Sequence, residues 1–351
     1  MLVLKTRIPN FIMTPELLNA VIDGRSLTQS ESETAMGALL TGETSPTVAA
    51  AFLTALRIKG ETVEELAGFA RAMRAAAVPL TIDPAYRPLL DTCGTGGNGI
   101  DAFNISTVAA FVVAGTGVRV AKHGNRAITS KCGSADLLEA LGVKTDVPPE
   151  VVARCISEEG IGFLFAPAFH GATRHVQSVR RELKFRTAFN YLGPLTNPAG
   201  AELQVCGTWS EEAAEKIAGA LALLGIDRAF VVHGSDGLGE ITVTGPSAVW
   251  SIRQGVIKRM TLMPSDFGID AQPAGEELLG GDADRNRAIA ESILNGDRGP
   301  QRDIVIVNSG LAIVASGKAS GFREGAAMAA ASIDSGAAKR KLASLRKATS
   351  S

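Results

Sequence analysis

Val118-Arg119-Val120-Ala121-Lys122-His123-Gly124-Asn125-Arg126 is the stretch on which the fold turns. Its first four residues form a short β-rich run. The next five bring a lysine, a histidine, an asparagine and an arginine to the end of that run. Helical stretches stand on both sides, Ser106–Ala114 before it and Ser134–Leu141 after it. Further β-rich runs follow at Gly162–Phe165, Gln204–Thr208, Ala229–His233 and Ile304–Val307, with a helical stretch at Glu211–Leu224. Strand–helix alternation predicts an α/β domain with a central, largely parallel sheet. Such sheets collect ligands at the carboxyl ends of their strands. Lys122 to Arg126 therefore suit a phosphate or carboxylate, against the alternative of a solvated basic loop.

Outward toward the amino terminus the texture changes near residue 80. Thr14-Pro15 reads as an N-cap with proline in the first turn, ahead of an apolar face of Leu17, Leu18, Val21 and Ile22. Ser45-Pro46 starts a second helix carrying Ala49, Phe52, Leu53 and Leu56. Thr62 caps a third, with Glu64 and Glu65 at its positive end. Pro79 and Pro84 punctuate a linker. A small N-terminal helical domain over 1–82 and a larger α/β domain over 83–351 are expected.

Composition bounds the function. The 351 residues include 38 glycines, above the usual share of about 7%. Lys plus Arg number 35 against 36 Asp plus Glu, so no basic excess exists for a nucleic-acid or membrane-surface partner. Cys93, Cys132, Cys155 and Cys206 are too scattered for a zinc knuckle or a redox pair. No signal-peptide pattern is present at Met1-Leu-Val-Leu-Lys-Thr-Arg. A reduced, cytoplasmic protein is expected.

Several loops carry candidate chemistry. Asp91-Thr-Cys-Gly94-Thr95-Gly96-Gly97-Asn98-Gly99 precedes Asn104-Ile-Ser106-Thr107 and an apolar helix. Glycines let backbone N–H groups curl around an anion, and the helix N-terminus adds positive charge. The loop suits a phosphate, against the alternative of a tight turn. No Gly-Lys-Ser/Thr follows, which excludes the triphosphate loop. Phe165-Ala-Pro-Ala-Phe169-His170 and Arg180-Arg181 offer a histidine and a guanidinium for a carboxylate. Gly193-Pro-Leu-Thr-Asn-Pro198 is a rigid loop, and His233-Gly-Ser-Asp236-Gly-Leu-Gly239-Glu240 an acidic glycine loop able to hold magnesium on a phosphate.

Taken together these motifs resemble the anthranilate phosphoribosyltransferase family, within the wider nucleoside phosphorylase and phosphoribosyltransferase group. The likeness covers nearly the whole chain, from Ala51-Phe-Leu-Thr-Ala-Leu-Arg57-Ile-Lys59-Gly60-Glu61-Thr62 through Phe189-Asn-Tyr-Leu-Gly-Pro-Leu-Thr-Asn-Pro198 to Asp334-Ser-Gly336. It implies a helical domain, joined by part of 170–192 and used for homodimerisation, hinged to an α/β domain. It implies transfer of phosphoribosyl from phosphoribosyl pyrophosphate (PRPP) to the amine of anthranilate, the second step of tryptophan biosynthesis, with magnesium (Mg2+) as cofactor. Gly94, Thr95, Gly96, Gly97, Asn98, Asn104, Ser106, Thr107, Lys122 and Ser134 would hold PRPP. Gly94, Asn125, His170, Arg180 and Gly193 would face anthranilate, with Arg180 on its carboxylate. Ser106 and Glu240 would contact magnesium, and Lys122 would stabilise the transition state, with no acid or base required.

Three departures stand out. Asn98 and Gly239 occupy positions where the family has aspartates, and Phe169 one where many relatives have a second histidine. Asp236 or water is the expected substitute for the missing metal ligand. Lys122, Arg126, Lys131 and Arg180 are expected to form a local basic cluster for the substrates. The readings set against this one are a non-catalytic or altered-specificity relative binding another aromatic ligand or nucleic acid, and a pyrimidine nucleoside phosphorylase.

Overall fold

A computed structural model describes residues 12–97, 99–127, 130–270 and 275–350. Two compact units result. One takes the chain up to Val78 together with His170–Thr196, the other Pro79–Phe169 and everything from Asn197 onward.

The first unit is helical: α1 (Pro15–Ile22), α2 (Gln29–Thr41), α3 (Pro46–Lys59) and α4 (Val63–Ala76). Thr14, Ser45 and Thr62 cap α1, α3 and α4 as the sequence indicates, each hydroxyl accepting a first-turn N–H. Ala49, Phe52, Leu53 and Leu56 are buried. In α1 the inward face is narrower than expected: Leu17 and Val21 are buried, whereas Ile22 is 58% exposed. The Arg174–Leu183 helix packs on α2 and α3, and the Phe189–Leu195 helix packs on α4.

The second unit holds a seven-stranded sheet: β1 (Leu90–Gly94), β2 (Val120–Gly124), β3 (Ile161–Phe165), β4 (Leu203–Gly207), β5 (Arg228–Gly234), β6 (Ser247–Arg253) and β7 (Val256–Leu262). The order is β3-β2-β1-β4-β5-β6-β7. The pairs from β3 through β5 are parallel, and β6 and β7 add an antiparallel hairpin at one edge. The Ile105–Gly115 helix is buried almost all round, because the Pro300–Ala315 and Ala337–Ser350 helices both pack on it.

Two expectations are corrected. Ile304–Val307 is no strand; it lies inside the Pro300–Ala315 helix, which buries residues on every face. The second strand runs to Gly124, so Lys122 and His123 are strand residues rather than loop residues. Their side chains accordingly leave on opposite faces of the sheet. All four cysteines are free and buried. Among the described residues no helix is long and apolar enough to cross a membrane.

Candidate active site

The carboxyl ends of β1, β2 and β4 gather most of the predicted phosphate-binding residues. Gly94 is the last residue of β1. Thr95 turns back over β4, its N–H donating to the Gly207 carbonyl at 2.9 Å. Gly96 and Gly97 then adopt φ of +63° and +71°, a left-handed path that favours glycine. Asn98 lies outside the described residues.

Lys122 sits beneath this loop, 4% exposed. Its ammonium donates to the Thr92 carbonyl of β1 and, at 3.3 Å, to the Ser106 hydroxyl at the start of the Ile105–Gly115 helix. Desolvation pushes its pKa down, and the charges of Asp91, Cys93 and Glu240 push it back up. Asp91, fully buried, accepts the His123 N–H at 3.0 Å and the Asn197 amide at 2.9 Å. Burial raises the Asp91 pKa, opposed chiefly by Lys122. Asn197 also donates to the Ala121 carbonyl at 2.9 Å. Asp91 and Asn197 carry no role in the sequence reading. The one signal for them is a polar residue inside an apolar strand run and an asparagine set before Pro198.

Other predicted residues are already engaged. The Asn104 amide donates to the Cys132 carbonyl at 3.1 Å, and its oxygen accepts from Asn286 at 3.0 Å. Ser134 clasps the Asn125 backbone, accepting its N–H at 3.1 Å and donating to its carbonyl at 3.2 Å. The Asn125 amide oxygen accepts the Arg126 N–H at 2.8 Å. Thr107 is turned inward: its buried hydroxyl has no hydrogen-bond partner among the described residues. It lines a cavity of about 10 Å3 with Ala110, Phe111 and Phe163.

Two members of the expected basic cluster are already paired. Arg126 is clamped by Glu139 at 2.6 and 2.7 Å and by Asp136 at 3.2 Å, and Lys131 pairs with Asp101 at 3.6 Å. Among the described residues Lys122 is left as the buried cation of the strand ends.

Glu240 stands near Lys122 electrostatically, and its carboxyl takes no hydrogen bond from a described residue. Desolvation pushes its pKa up to about 8, against the pull of Lys122. Asp236, the expected substitute for the missing aspartate, is already engaged. Its oxygens are taken by the Thr242 and Thr244 hydroxyls, the latter at 2.7 Å, and by the Leu238 N–H at 3.1 Å. It is a turn cap. The loop also presses hard on β4: a Cβ at Gly207 would sit 1.6 Å from the Gly239 carbonyl oxygen.

The helical unit carries the remaining candidates. His170 is 6% exposed, and its Nε2 lies 3.0 Å from the Thr196 carbonyl, which fixes Nε2 as the protonated nitrogen. Arg180 lies over the Phe189 ring, 4.8 Å from its centroid. Its guanidinium has no carboxylate partner among the described residues, and desolvation lowers its pKa. A Cβ on Gly193 would meet open space. Phe169, in the other unit, is 1% exposed and packs with Ile82, Leu89, Ala121, Ile156 and Leu164. It is a core residue there.

The glycosyl transferase family matches this chain in both its parts, the helical bundle domain over residues 15–77 and the a/b domain over 86–339. Anthranilate phosphoribosyltransferase from Solibacter usitatus is 57% identical over 95% of this chain and 97% of its own. The Moorella thermoacetica protein of that name is 52% identical over 93% and 95%. The crystal structure of the Thermus thermophilus enzyme superposes with a TM-score of 0.90 at 45% identity, covering 95% of this chain and 99% of that one. The Saccharomyces cerevisiae enzyme in complex with PRPP and Mg gives 0.87 at 29% identity, covering 96% and 99%.

Proposed function

The chain belongs to the anthranilate phosphoribosyltransferase family, and we propose how its own residues carry that family's reaction. It is a magnesium-dependent glycosyltransferase of tryptophan biosynthesis, moving phosphoribosyl from PRPP to the amine of anthranilate with loss of pyrophosphate. Nothing in the comparisons supports a non-catalytic relative.

One observation carries the assignment of roles: Lys122 is buried at the strand ends with a carbonyl and a hydroxyl as its close contacts. A cation held by neutral acceptors keeps its charge for an incoming anion. Pyrophosphate lies over the Gly94–Gly97 turn, and Lys122 stabilises the charge that builds on it as the ribosyl bond breaks. One donor of this kind typically lowers a barrier by about 3–4 kcal/mol. Asn104 and Ser134 act by holding the loops that line this site. The Arg180 guanidinium takes the carboxylate of anthranilate, while His170 and Gly193 border the ring. Positioning the amine and excluding water suffice for an aromatic amine with a free lone pair.

The donor set fits one magnesium ion. Among the described residues no group of three acidic, histidine or cysteine side chains converges. Magnesium usually takes only one or two carboxylates and leaves the rest to water and phosphates. Glu240, desolvated and without a hydrogen-bond donor, suits that role, with the Ser106 hydroxyl. When bound, the ion neutralises charge on the departing pyrophosphate. Gly239 supplies no second carboxylate and Asp236 is occupied, so a second ion would have only substrate and water to hold it. The reading also takes the enzyme as a cytoplasmic homodimer joined through its helical unit.

The test is a single assay: loss of anthranilate fluorescence on mixing protein, anthranilate, PRPP and magnesium. Turnover is expected. A folded protein that leaves the signal unchanged overturns the reading. Arg180→Ala raises KM for anthranilate far more than KM for PRPP, and equal rises would remove Arg180 from the carboxylate.

A further inference from the structure

We propose that Phe189 is a positioning residue for the acceptor, holding the Arg180 guanidinium by its flat face so that its N–H edge stays open to a carboxylate. The proposal rests on the reading of Arg180 given above and goes beyond it by naming what aims that side chain. Two other arginines in the protein show how such a group is ordinarily satisfied. Arg302 pairs with Asp334 at 2.7 Å and donates to the Gly296 carbonyl at 2.9 Å. Arg126 also lies over a ring, 5.5 Å from the Phe165 centroid, yet it is forked onto Glu139. Each spends its N–H edge on the protein. Arg180 has the ring without the carboxylate: its guanidinium carbon lies 4.8 Å from the centroid of the Phe189 ring, with no carboxylate of a described residue in ion-pair reach.

The geometry of a guanidinium makes this distinction matter. Its five N–H donors lie in the plane, and its faces carry none. Stacking on a ring uses a face, attracts the cation through the ring quadrupole and leaves the in-plane donors free. A carboxylate at this position would have held the arginine more tightly and blocked it. The ring is itself well fixed. Phe189 is 6% exposed and opens the Phe189–Leu195 helix. The turn before it is closed both ways, Thr187 N–H to the Asn190 side-chain oxygen and Asn190 N–H to the Thr187 carbonyl, both at 2.9 Å. On the other side, Val176 and Val179 bury the face of the helix that carries Arg180. Desolvation of Arg180 agrees with a guanidinium kept dry for a charged ligand.

Steady-state kinetics of four proteins test the proposal: wild type, Phe189→Leu, Phe189→Tyr and Arg180→Ala. Phe189→Leu keeps an apolar side chain but loses the ring, and is expected to raise KM for anthranilate about tenfold. KM for PRPP and kcat should stay within about twofold. Phe189→Tyr keeps the ring and should restore KM toward wild type, even if packing of the hydroxyl lowers Tm. Melting temperatures are measured alongside, since a merely structural role would lower Tm and spare the split between the two KM values. If Arg180→Ala raises KM for anthranilate but Phe189→Leu does not, or if Phe189→Leu raises both KM values alike, the positioning role is wrong. If Arg180→Ala itself leaves KM for anthranilate unchanged, the acceptor-site reading falls and this proposal with it. Should Phe189→Leu not fold, Phe189→Met serves in its place with the same expectations.

Discussion

Two buried lysines divide the molecule between structure and chemistry. Lys59, at the end of α3 in the helical unit, has a side chain 7% exposed, and its ammonium reaches the Glu65 carboxylate at 2.9 Å and the Gly60 carbonyl at 2.8 Å. Glu65 is in turn filled: it accepts the Leu27 N–H at 2.9 Å and the Thr62 N–H at 2.8 Å. Lys122, in the α/β unit, is buried as a whole residue and touches a carbonyl and a hydroxyl, with its nearest negative charges acting only at longer range. The first lysine is closed by a countercharge inside the protein. The second is left open to one from outside. Both ammonium groups are withdrawn from water; the identity of the acceptor separates them.

Breaking each lysine should therefore cost a different quantity. Lys59→Met strands the Glu65 charge in the core and is expected to destabilise the fold by about 3–5 kcal/mol, while the folded enzyme keeps its kcat/KM. Replacing Glu65 by leucine as well should recover much of that loss. Chemical denaturation of the single and double variants measures both. Lys122→Met should show the reverse: kcat/KM falls about 10²–10³-fold, worth about 2.7–4 kcal/mol of barrier, with a smaller drop in stability than Lys59→Met. An active Lys122→Met enzyme, or one that unfolds more readily than Lys59→Met, would erase the distinction.

The open side of the comparison can be sharpened beneath the loop that carries Glu240. Gly207→Ala would place a Cβ 1.6 Å from the Gly239 carbonyl oxygen, so the loop bearing Glu240 must move. Overpacking of this kind costs about 1–3 kcal/mol. The magnesium concentration for half-maximal activity should rise, with KM for anthranilate unaffected. A variant with an unchanged magnesium requirement would mean that Glu240 does not act on the ion.

What the sequence made legible follows the range of the forces involved. Caps at Thr14, Ser45 and Thr62 are local, and each is present as written. Glycines after strand residues, and Lys122 near them, fall at the carboxyl ends of β1 and β2 because the chain itself delivers them there. Ile304–Val307 misleads, since a short apolar run buried on all sides has no period to tell strand from helix. The pairing of Arg126 with Asp136 and Glu139, the inward turn of Thr107 and the burial of Phe169 depend on contacts made only after folding. So does the capture of Asp236 by Thr242 and Thr244. Residue type singled out loops at the strand ends; it did not tell which polar groups in them were already spent.

The smallest test lies wholly on the structural side, where one device is used twice. Thr28 and Glu31 at the start of α2 form the same reciprocal box as Thr62 and Glu65 at the start of α4. The Glu31 box is at the surface, with Arg25 in the place Lys59 holds for Glu65: Arg25 donates to both carboxylate oxygens at 2.9 and 3.1 Å. That bond, then the Thr28 N–H, pulls the Glu31 pKa down from 4.5 to about 2. A depressed carboxyl pKa stabilises the fold above the unfolded value and loses that contribution as pH falls through the folded one. Stability conferred by Glu31 is thus full above about pH 4.5 and gone near pH 2. Because the pair is open to water, screening keeps its worth small, and Glu31→Gln should cost only about 0.5–1 kcal/mol at pH 7. Denaturation of wild type and Glu31→Gln across that range should show the two curves converging below pH 4.5. A gap that persisted undiminished at pH 2 would mean that the Glu31 charge is not its source, and one as large as that for Lys59→Met that burial is not what separates the two boxes.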